Sequence, residues 1–209
     1  VRWAPDGSWL VSWHTTNDAV VWYGRQRPFL SILDAHAGPL ATARFSPDGR
    51  DVAAACADGR VAVFDVATNT LLRRLDPRPD DTERVALSSA EYDARGERLL
   101  VATVDGRASL MRVADGSVEG EFECAVGGPE PLFTPCGRSV VLVDRVGHLE
   151  VRPVDGGQSC RLTGTRGAVR STCVSADGRL LVGGTSDRTV HAWNLADVRP
   201  GISLKPAWT

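Results

Sequence analysis

The 209-residue sequence predicts an all-β fold made of five copies of a four-stranded antiparallel sheet. A five-residue turn, opened by an apolar or aromatic residue and closed by glycine, recurs as WAPDG, FSPDG, YDARG, FTPCG and VSADG. Between these turns, short runs of valine, leucine and alanine are bounded by Asp-Gly or similar pairs, a pattern typical of strands joined by hairpins. A four-stranded sheet that repeats every forty-odd residues indicates the blades of a β-propeller.

The spacing of the turns supports the repeat. The glycines that close them are 42, 47, 41 and 41 residues apart, at Gly7, Gly49, Gly96, Gly137 and Gly178. The extra length of about five residues falls between the second and third copies, at 76–82 (DPRPDDT), and its prolines and charges predict a surface loop. We place the five repeats at residues 1–33, 34–75, 76–122, 123–162 and 163–209.

Repeat two shows the strand pattern most fully. Its predicted strands, with a hairpin turn at Asp58-Gly59, are 40–45, 51–56, 61–66 and 70–75. The two middle strands recur in repeat three at 98–103 and 108–113, and in repeat five at 179–184 and 189–195. Residues 202–208 are expected to form the fourth strand of repeat five.

Several residues of repeats two and five carry a family resemblance. The FSPDG turn, the small-residue strand after it, Asp58-Gly59 and Phe64-Asp65 in place of a Trp-Asp pair resemble a WD repeat. His36, 13 residues before Gly49, lies where that family has the His of its Gly-His pair. The resemblance implies a propeller that commonly has seven blades. We therefore expect five blades of a larger ring rather than a complete five-bladed one, because closure protects sheet edges.

The resemblance also implies a buried network of His, Ser or Thr, Asp and Trp side chains inside each blade. Its candidates here are His36 and Asp58 in repeat two and Asp187 and Trp193 in repeat five. Most of the network is missing in repeats three and four, and repeat four has Val146 and Arg152 at the Asp and Trp positions. Repeats three and four are therefore expected to depend on apolar packing and the sheet ladder, and repeat four is expected to be the weakest.

The composition restricts the class of protein. A formal net charge of −2 and a pI near 6.1 give no reason to expect nucleic-acid or membrane binding. The five cysteines are odd in number and form no Cys-x-x-Cys pair, which favours a reducing, cytoplasmic location. No segment is long and apolar enough to span a bilayer, and no signal peptide is recognisable. Because the one methionine is Met111, we expect a segment of a longer protein.

No motif for catalysis is found. The single lysine, Lys205, lies in no phosphate-binding loop, and no Gly-x-Ser-x-Gly sequence occurs. The four histidines fall in four different repeats, without the close spacing typical of metal ligands: His14, His36, His148 and His191. The sequence therefore predicts neither an enzyme nor a cofactor or metal site.

The repeats favour a scaffold that binds protein or peptide partners through its loops. Candidate contacts in the loops that join second to third and fourth to first strands are Arg84, Arg145, Arg166 and Ser186. Arginine there can bind acidic or phosphorylated segments, although the same residues also suit solvated loops. The alternative function is a regulatory segment of a multidomain enzyme, a kinase, NTPase or peptidase, whose catalytic domain lies outside this chain.

The tryptophans of repeat one suggest a second kind of contact. Trp3 and Trp22 are expected in core positions of the turn and the third strand. Trp9 and Trp13, four residues apart on one face of a strand, fit either packing between blades or contact with a missing blade or partner.

Overall fold

A computed structural model describes residues 1–13, 18–23, 30–34, 39–81, 83–199 and 203–207. Within these residues the chain forms twenty β-strands and one short 3₁₀ helix. It divides into two compact units: residues 1–105 with 109–119, and residues 106–108 with 120–209.

The first unit begins with two four-stranded antiparallel sheets in which chain neighbours pair in sequence. Blade one consists of β1 (Arg2–Trp3), β2 (Trp9–Trp13), β3 (Asp18–Tyr23) and β4 (Leu30–Asp34). Blade two consists of β5 (Leu40–Phe45), β6 (Asp51–Cys56), β7 (Val61–Asp65) and β8 (Thr70–Leu75).

The same order of strands recurs in the rest of the chain. Blade three consists of β9 (Leu87–Tyr92), β10 (Arg98–Thr103), β11 (Arg107–Arg112) and β12 (Val118–Glu123). Blade four consists of β13 (Leu132–Phe133), β14 (Ser139–Val143), β15 (Leu149–Pro153) and β16 (Cys160–Leu162), and blade five of β17 (Val169–Val174), β18 (Leu180–Thr185) and β19 (Val190–Asn194). The fold class predicted from the repeats is confirmed, and the predicted strands agree with these bounds to about one residue.

The fourth strand of blade five, expected at 202–208, does not form among the described residues, although the Ala207 amide donates to the Ala192 carbonyl of β19 at 2.6 Å. Instead, β20 (Ser203–Leu204) pairs in parallel with β16 and extends the sheet of blade four. The physical reason lies after β19, where a 3₁₀ helix at Leu195–Asp197, capped by the Asn194 side chain, replaces a tight hairpin turn. A hairpin would have returned the chain antiparallel beside β19.

The five recurrent turns depend on a left-handed backbone at their glycines. The φ angles of these glycines all lie between 68° and 72°, a conformation that side chains with a β-carbon disfavour. In blade two, the Ser46 hydroxyl donates to Asp48 at 2.6 Å and accepts from the Asp51 amide at 2.9 Å. The turn therefore satisfies these polar groups with partners that are close in sequence.

The apolar cores lie between successive blades. In the first unit, one cluster joins Val11, Ala19 and Val21 of blade one to residues of blade two that include Val52 and Phe64. A second cluster lies between blades two and three, and the second unit has an equivalent cluster between blades four and five. Because β6 has neighbours on both faces, its run from Val52 to Cys56 is fully buried.

The inserted loop between blades two and three is more fixed than a plain surface loop. Pro77 is buried, and its carbonyl accepts a hydrogen bond of 3.3 Å from the Ser109 hydroxyl. Arg78 forms ion pairs with Asp81 and, at 3.2 Å, with Asp105. These contacts attach the loop to the hairpin of blade three.

Candidate functional site

In four blades, the linker before the first strand is hydrogen-bonded to the hairpin turn between the second and third strands. The turn amide of Ala57 donates to Pro39, that of Val104 to Ala86 and that of Ser186 to Ala168, at 2.9 to 3.0 Å. In blade four the direction is reversed, and Ala125 donates to Val143 at 2.7 Å. We call this part of each sheet, with its turn and its linker, the turn edge.

Glycine in these turns has a steric reason. Gly59 and Gly106 have φ angles of 82° and 84°. A β-carbon at Gly59 would lie 2.9 Å from the carbonyl oxygen of Val85, and one at Gly106 would lie 2.5 Å from that of Cys124. The segment that leads into the next blade thus crosses directly over each of these turns, and the Asp-Gly pairs of the sequence are explained by this close approach.

Blade five departs from this rule. The residue that corresponds to Gly59 and Gly106, ten positions after the turn glycine, is Arg188. Arg188 has a φ of 70°, which is uncommon for any residue other than glycine, and its side chain is exposed. The sequence shows Arg188 in place of glycine, but its importance emerges only when the backbone angle is known.

The four loop candidates have different surroundings. Arg84 forms an ion pair of 2.5 Å with Asp76, and Arg145 lies 3.6 Å from Glu123. Arg166 is exposed, and no ion pair of its side chain is found among the described residues. The Ser186 hydroxyl accepts from the Ala168 amide at 3.1 Å, so it fixes the linker to the turn.

The structure brings part of this set together. A β-carbon at Gly167 would lie 2.9 Å from the Ser186 hydroxyl and 2.8 Å from the Asp187 amide. Arg166, next to Gly167, and Arg188, next to Asp187, therefore extend from segments in contact. Arg145 lies in the neighbouring blade of the same unit, whereas Arg84 belongs to the other unit.

The carboxylate of Asp187 organises the turn of blade five. It accepts hydrogen bonds from the hydroxyls of Thr185, at 2.5 Å, and Thr189, at 2.7 Å. These bonds lower the pKa of Asp187 to about 2. Asp187 is therefore fully ionised at neutral pH, and its charge is used to hold the turn.

A polar chain continues from this turn into the blade. The Thr189 hydroxyl lies 2.8 Å from Nε2 of buried His191, whose ring stacks on Trp193 at 5.9 Å between centroids. Trp193 is fully buried, and its Nε1 donates to the carbonyl of Thr163 at 3.2 Å. Sequence reasoning found Asp187 and Trp193 but missed the two threonines and the role of Thr163.

In blade two, the corresponding arrangement is less complete among the described residues. The Asp58 carboxylate accepts from the Arg60 amide at 3.0 Å and lies 3.9 Å from Arg74. Phe64 is buried and has no N–H group to donate. His36 lies outside the described residues.

Blade four does not depend on apolar packing alone, so that expectation is wrong. Asp144 accepts from the turn amides of Val146 and His148, at 2.9 and 2.8 Å. Buried Glu150 is bound by Arg152 at 2.9 Å and by Arg161 at 3.4 Å. Charged side chains thus replace the Asp and Trp that this repeat lacks. Blade three keeps a smaller polar contact, in which the Thr103 hydroxyl donates to Asp105.

Two of the tryptophans of blade one, Trp3 and Trp22, are placed opposite to expectation. Trp3 and Trp22 are 63% and 41% exposed, so their assignment to the core is wrong. Trp9 and Trp13 are partly buried and pack against the cluster between blades one and two, which favours packing over partner contact. The guanidinium of Arg44 lies 5.9 Å from the centre of the Trp13 ring. Trp3 and Trp22 both pair with Leu10, whose side chain points to the opposite side of β2 from Trp9 and Trp13. Blade two covers only the side of Trp9 and Trp13.

The described residues also bear on metal binding and on membrane insertion. Among the described residues, no group of three or more His, Cys, Asp or Glu side chains is arranged to hold a metal ion. No helix in the described part of the chain is long and apolar enough to cross a membrane.

Comparison with known protein families finds a match to two stretches of the chain. The family model described as "WD domain, G-beta repeat" matches residues 27–65 and 156–194. The "Periodic tryptophan protein 2 homolog" of Caenorhabditis elegans is 24% identical over 212 residues, which cover 94% of this chain and 22% of that protein.

A solved structure supports the fold. The crystal structure of the C-terminal WD40 domain of Sif2 superposes with a TM-score of 0.78 at 16% identity, over 98% of this chain and 58% of the other. The chain thus spans about a fifth of the length of the matched relative and less than two thirds of the matched domain.

Proposed function

We propose that this chain, which matches the WD-repeat family model over two stretches, is a non-catalytic scaffold whose turn edge in blade five binds an acidic or phosphorylated protein segment. WD40 domains generally act as scaffolds for protein interactions. The choice of blade five and the chemistry of the partner come from the residues of this chain.

The observation that carries the proposal is the left-handed arginine at position 188. A non-glycine residue in this conformation costs free energy, and such residues concentrate at functional sites. The exposed Arg188 and Arg166 extend from contacting segments, and two guanidinium groups can bind a carboxylate or phosphate with paired hydrogen bonds. Arg145 in the same unit is a third, more weakly supported contact, because Glu123 lies beside it.

Other features bear on the location of the protein, on the choice of arginines and on the alternative function. The five cysteines are all free thiols, which supports a reducing, cytoplasmic location. Arg84 is a weaker candidate than at first expected, because its ion pair with Asp76 already occupies the guanidinium. The alternative function as a regulatory segment of an enzyme stays a prediction that the flanking reading frame will decide.

Binding of short peptides tests the proposal. We expect fluorescein-labelled peptides rich in aspartate or phosphoserine to bind, and the double variant Arg166→Glu, Arg188→Glu to weaken that binding by about tenfold or more. The matched control is Arg138→Glu, an exposed arginine directly after the recurrent turn of blade four. Equal affinities of the double variant and the wild type, measured by fluorescence anisotropy, would refute the assignment.

A further inference from the structure

Arg188 keeps a left-handed backbone that glycine has in the equivalent turns. In blades two, three and four the residue ten positions after the turn glycine is Gly59, Gly106 or Gly147, and each has a positive φ angle at little steric cost. A residue with a side chain keeps this conformation only where its surroundings hold it there. The neighbours of Arg188 must therefore supply the contacts that hold it.

The two residues beside Arg188 are bonded to each other. The hydroxyl and the amide of Thr189 both donate to one carboxylate oxygen of Asp187, at 2.7 and 3.2 Å. The amide of Arg188 itself donates to the carbonyl of Thr185 at 3.2 Å. The direction in which the Thr189 hydroxyl points thus helps to fix the backbone on both sides of Arg188.

The hydrogen atoms of this chain of bonds follow from its donors and acceptors. A carboxylate accepts only, so the single hydroxyl hydrogen of Thr189 points to Asp187. The Thr189 oxygen can then only accept from Nε2 of His191, which lies 2.8 Å away. Nε2 therefore carries a hydrogen, because a bare nitrogen there would face a lone pair of the oxygen.

The other ring nitrogen of His191 supports the same assignment. His191 is 4% exposed, and its Nδ1 has no hydrogen-bond partner among the described residues. With the ring hydrogen on Nδ1, both nitrogens would lack a hydrogen bond, whereas with the hydrogen on Nε2 only one does. The second arrangement costs less free energy in a buried site.

The position of His191, thirteen residues after the turn glycine, is buried in every blade. Its occupants, from blade one to blade five, are Val20, Ala62, Ser109, Glu150 and His191. Blade three has the bond from Thr103 to Asp105 but Arg107 where blade five has Thr189, and its Ser109 donates to Pro77 instead. Within the described residues, a donor from this position to the hairpin turn thus occurs in the one blade whose turn contains a left-handed arginine.

We propose that His191 is a positioning residue for the binding arginine. Its Nε2–H holds the Thr189 hydroxyl towards Asp187, and the turn thereby holds Arg188 in the conformation that presents its side chain. His191 lies two residues before Trp193, at none of the positions of the buried network that the family resemblance implies. Its effect on binding rests on the proposed function, whereas the hydrogen-bond chain does not.

Nuclear magnetic resonance of the full chain tests the hydrogen-bond chain without any peptide. Long-range proton–nitrogen correlation in histidine-labelled protein should place the ring hydrogen of His191 on Nε2. The coupling between the amide and α hydrogens of Arg188 should report a positive φ angle in the wild type and in His191→Gln, whose amide keeps a donor near Nε2. In His191→Leu, which has no donor, the coupling should move towards that of an averaged backbone.

Fluorescence anisotropy with a phosphoserine peptide measures the consequence for binding. We expect His191→Leu to weaken binding about fivefold, as for the loss of one typical hydrogen bond, and His191→Gln to stay within about twofold of the wild type. The matched control is Ser109→Ala, which removes the buried polar group at the equivalent position of blade three and should leave the affinity unchanged.

The other outcomes are equally decisive. A ring hydrogen on Nδ1, or a folded His191→Leu variant with the Arg188 coupling and affinity of the wild type, would overturn the proposal. Equal losses in the glutamine and leucine variants would overturn it too, because they would show that ring packing matters rather than the donor. If the leucine variant does not fold, the wild-type assignment and the glutamine variant still decide. A wild type with the expected spectra that binds no acidic peptide would instead refute the proposed function.

Discussion

The hydroxyl of Thr185 donates a 2.5 Å hydrogen bond to the carboxylate of Asp187. This bond is the largest contribution to the lowered pKa of Asp187, and the bond from Thr189 is the second. It connects the end of β18 to the hairpin turn on which Arg188 lies. The turn that carries the proposed binding arginine is thus fixed by a local charge-assisted hydrogen bond.

The pKa of Asp187 predicts how the turn responds to acid. Because the folded pKa, about 2, is lower than the ordinary 3.8, the contribution of Asp187 to stability is present above pH 3.8. That contribution is lost as the pH falls from 3.8 towards 2. The substitution Thr185→Val should raise the pKa of Asp187 towards its ordinary value.

Carboxyl-carbon NMR titration measures this shift. Asp177 in the same blade is an internal control, because its pKa is lowered by Ser175 and should be the same in both proteins. A variant in which Asp187 titrates as in the wild type would contradict the role of Thr185.

The buried indole of Trp193 is expected to contribute to the free energy of unfolding. Trp193→Phe removes the donor to the Thr163 carbonyl and leaves a small cavity in a fully buried site. We expect a loss of about 1–2 kcal/mol in the free energy of unfolding. The control Trp22→Phe, at an exposed indole, should cost less than about 0.5 kcal/mol. Urea denaturation compares the two, and equal costs would count against the buried hydrogen bond.

The close approach of the linker to Gly106 predicts a difference between two glycines. Gly49 and Gly106 both have positive φ angles, so alanine at either should cost about 1 kcal/mol or more. At Gly106 the new β-carbon would also collide with the Cys124 carbonyl, whereas Gly49 has open space. Gly106→Ala should therefore lower the free energy of unfolding by about 1 kcal/mol or more beyond the loss caused by Gly49→Ala, as measured by thermal or urea unfolding. Equal costs would mean that the linker is easily displaced.

The charge of buried Glu150 is expected to stabilise blade four. Glu150→Gln keeps the shape of the side chain but removes the charge that faces Arg152 and Arg161. Since both arginines are partly exposed, we expect a loss of about 1–2 kcal/mol rather than the larger cost of a fully buried pair. Glu121→Gln on β12, an exposed site, is the control. Faster amide exchange confined to blade four would locate the effect, and unchanged stability would contradict it.

Arg188 predicts a separation of stability from binding. Arg188→Gly relieves the left-handed strain but loses backbone rigidity, so the free energy of unfolding should stay within about 0.5 kcal/mol of the wild type or rise. The affinity for acidic peptides should fall in the same variant. Unfolding curves and anisotropy titrations give the two values. A clearly less stable variant would indicate that Arg188 serves the fold.

Local chemistry determined much of the blade from sequence alone. The five turns satisfy their own hydrogen bonds and require glycine at a left-handed position, so their spacing was readable without any tertiary contact. Strand alternation gave the predicted bounds for the same reason, because it depends only on neighbouring residues. Asp187 and Trp193 were readable from the family pattern.

Tertiary structure decided which residues are buried, which are exposed and which are bound to a partner side chain. Alternation placed Trp9 and Trp13 on one face of β2, but only the neighbouring blade determined that this face is covered while Trp22 is exposed. Likewise, β20 lies beside β16 because of contacts distant in sequence. The sequence shows the same residue type, arginine, at positions 84, 166 and 188. In the structure, Arg84 alone of the three has a short ion pair, and Arg188 alone has a positive φ. The sequence by itself determined the repeat, its turns and its strands, since those follow from local hydrogen bonding. The exposure of Trp22 and the surroundings of the arginines were decided by packing between distant segments.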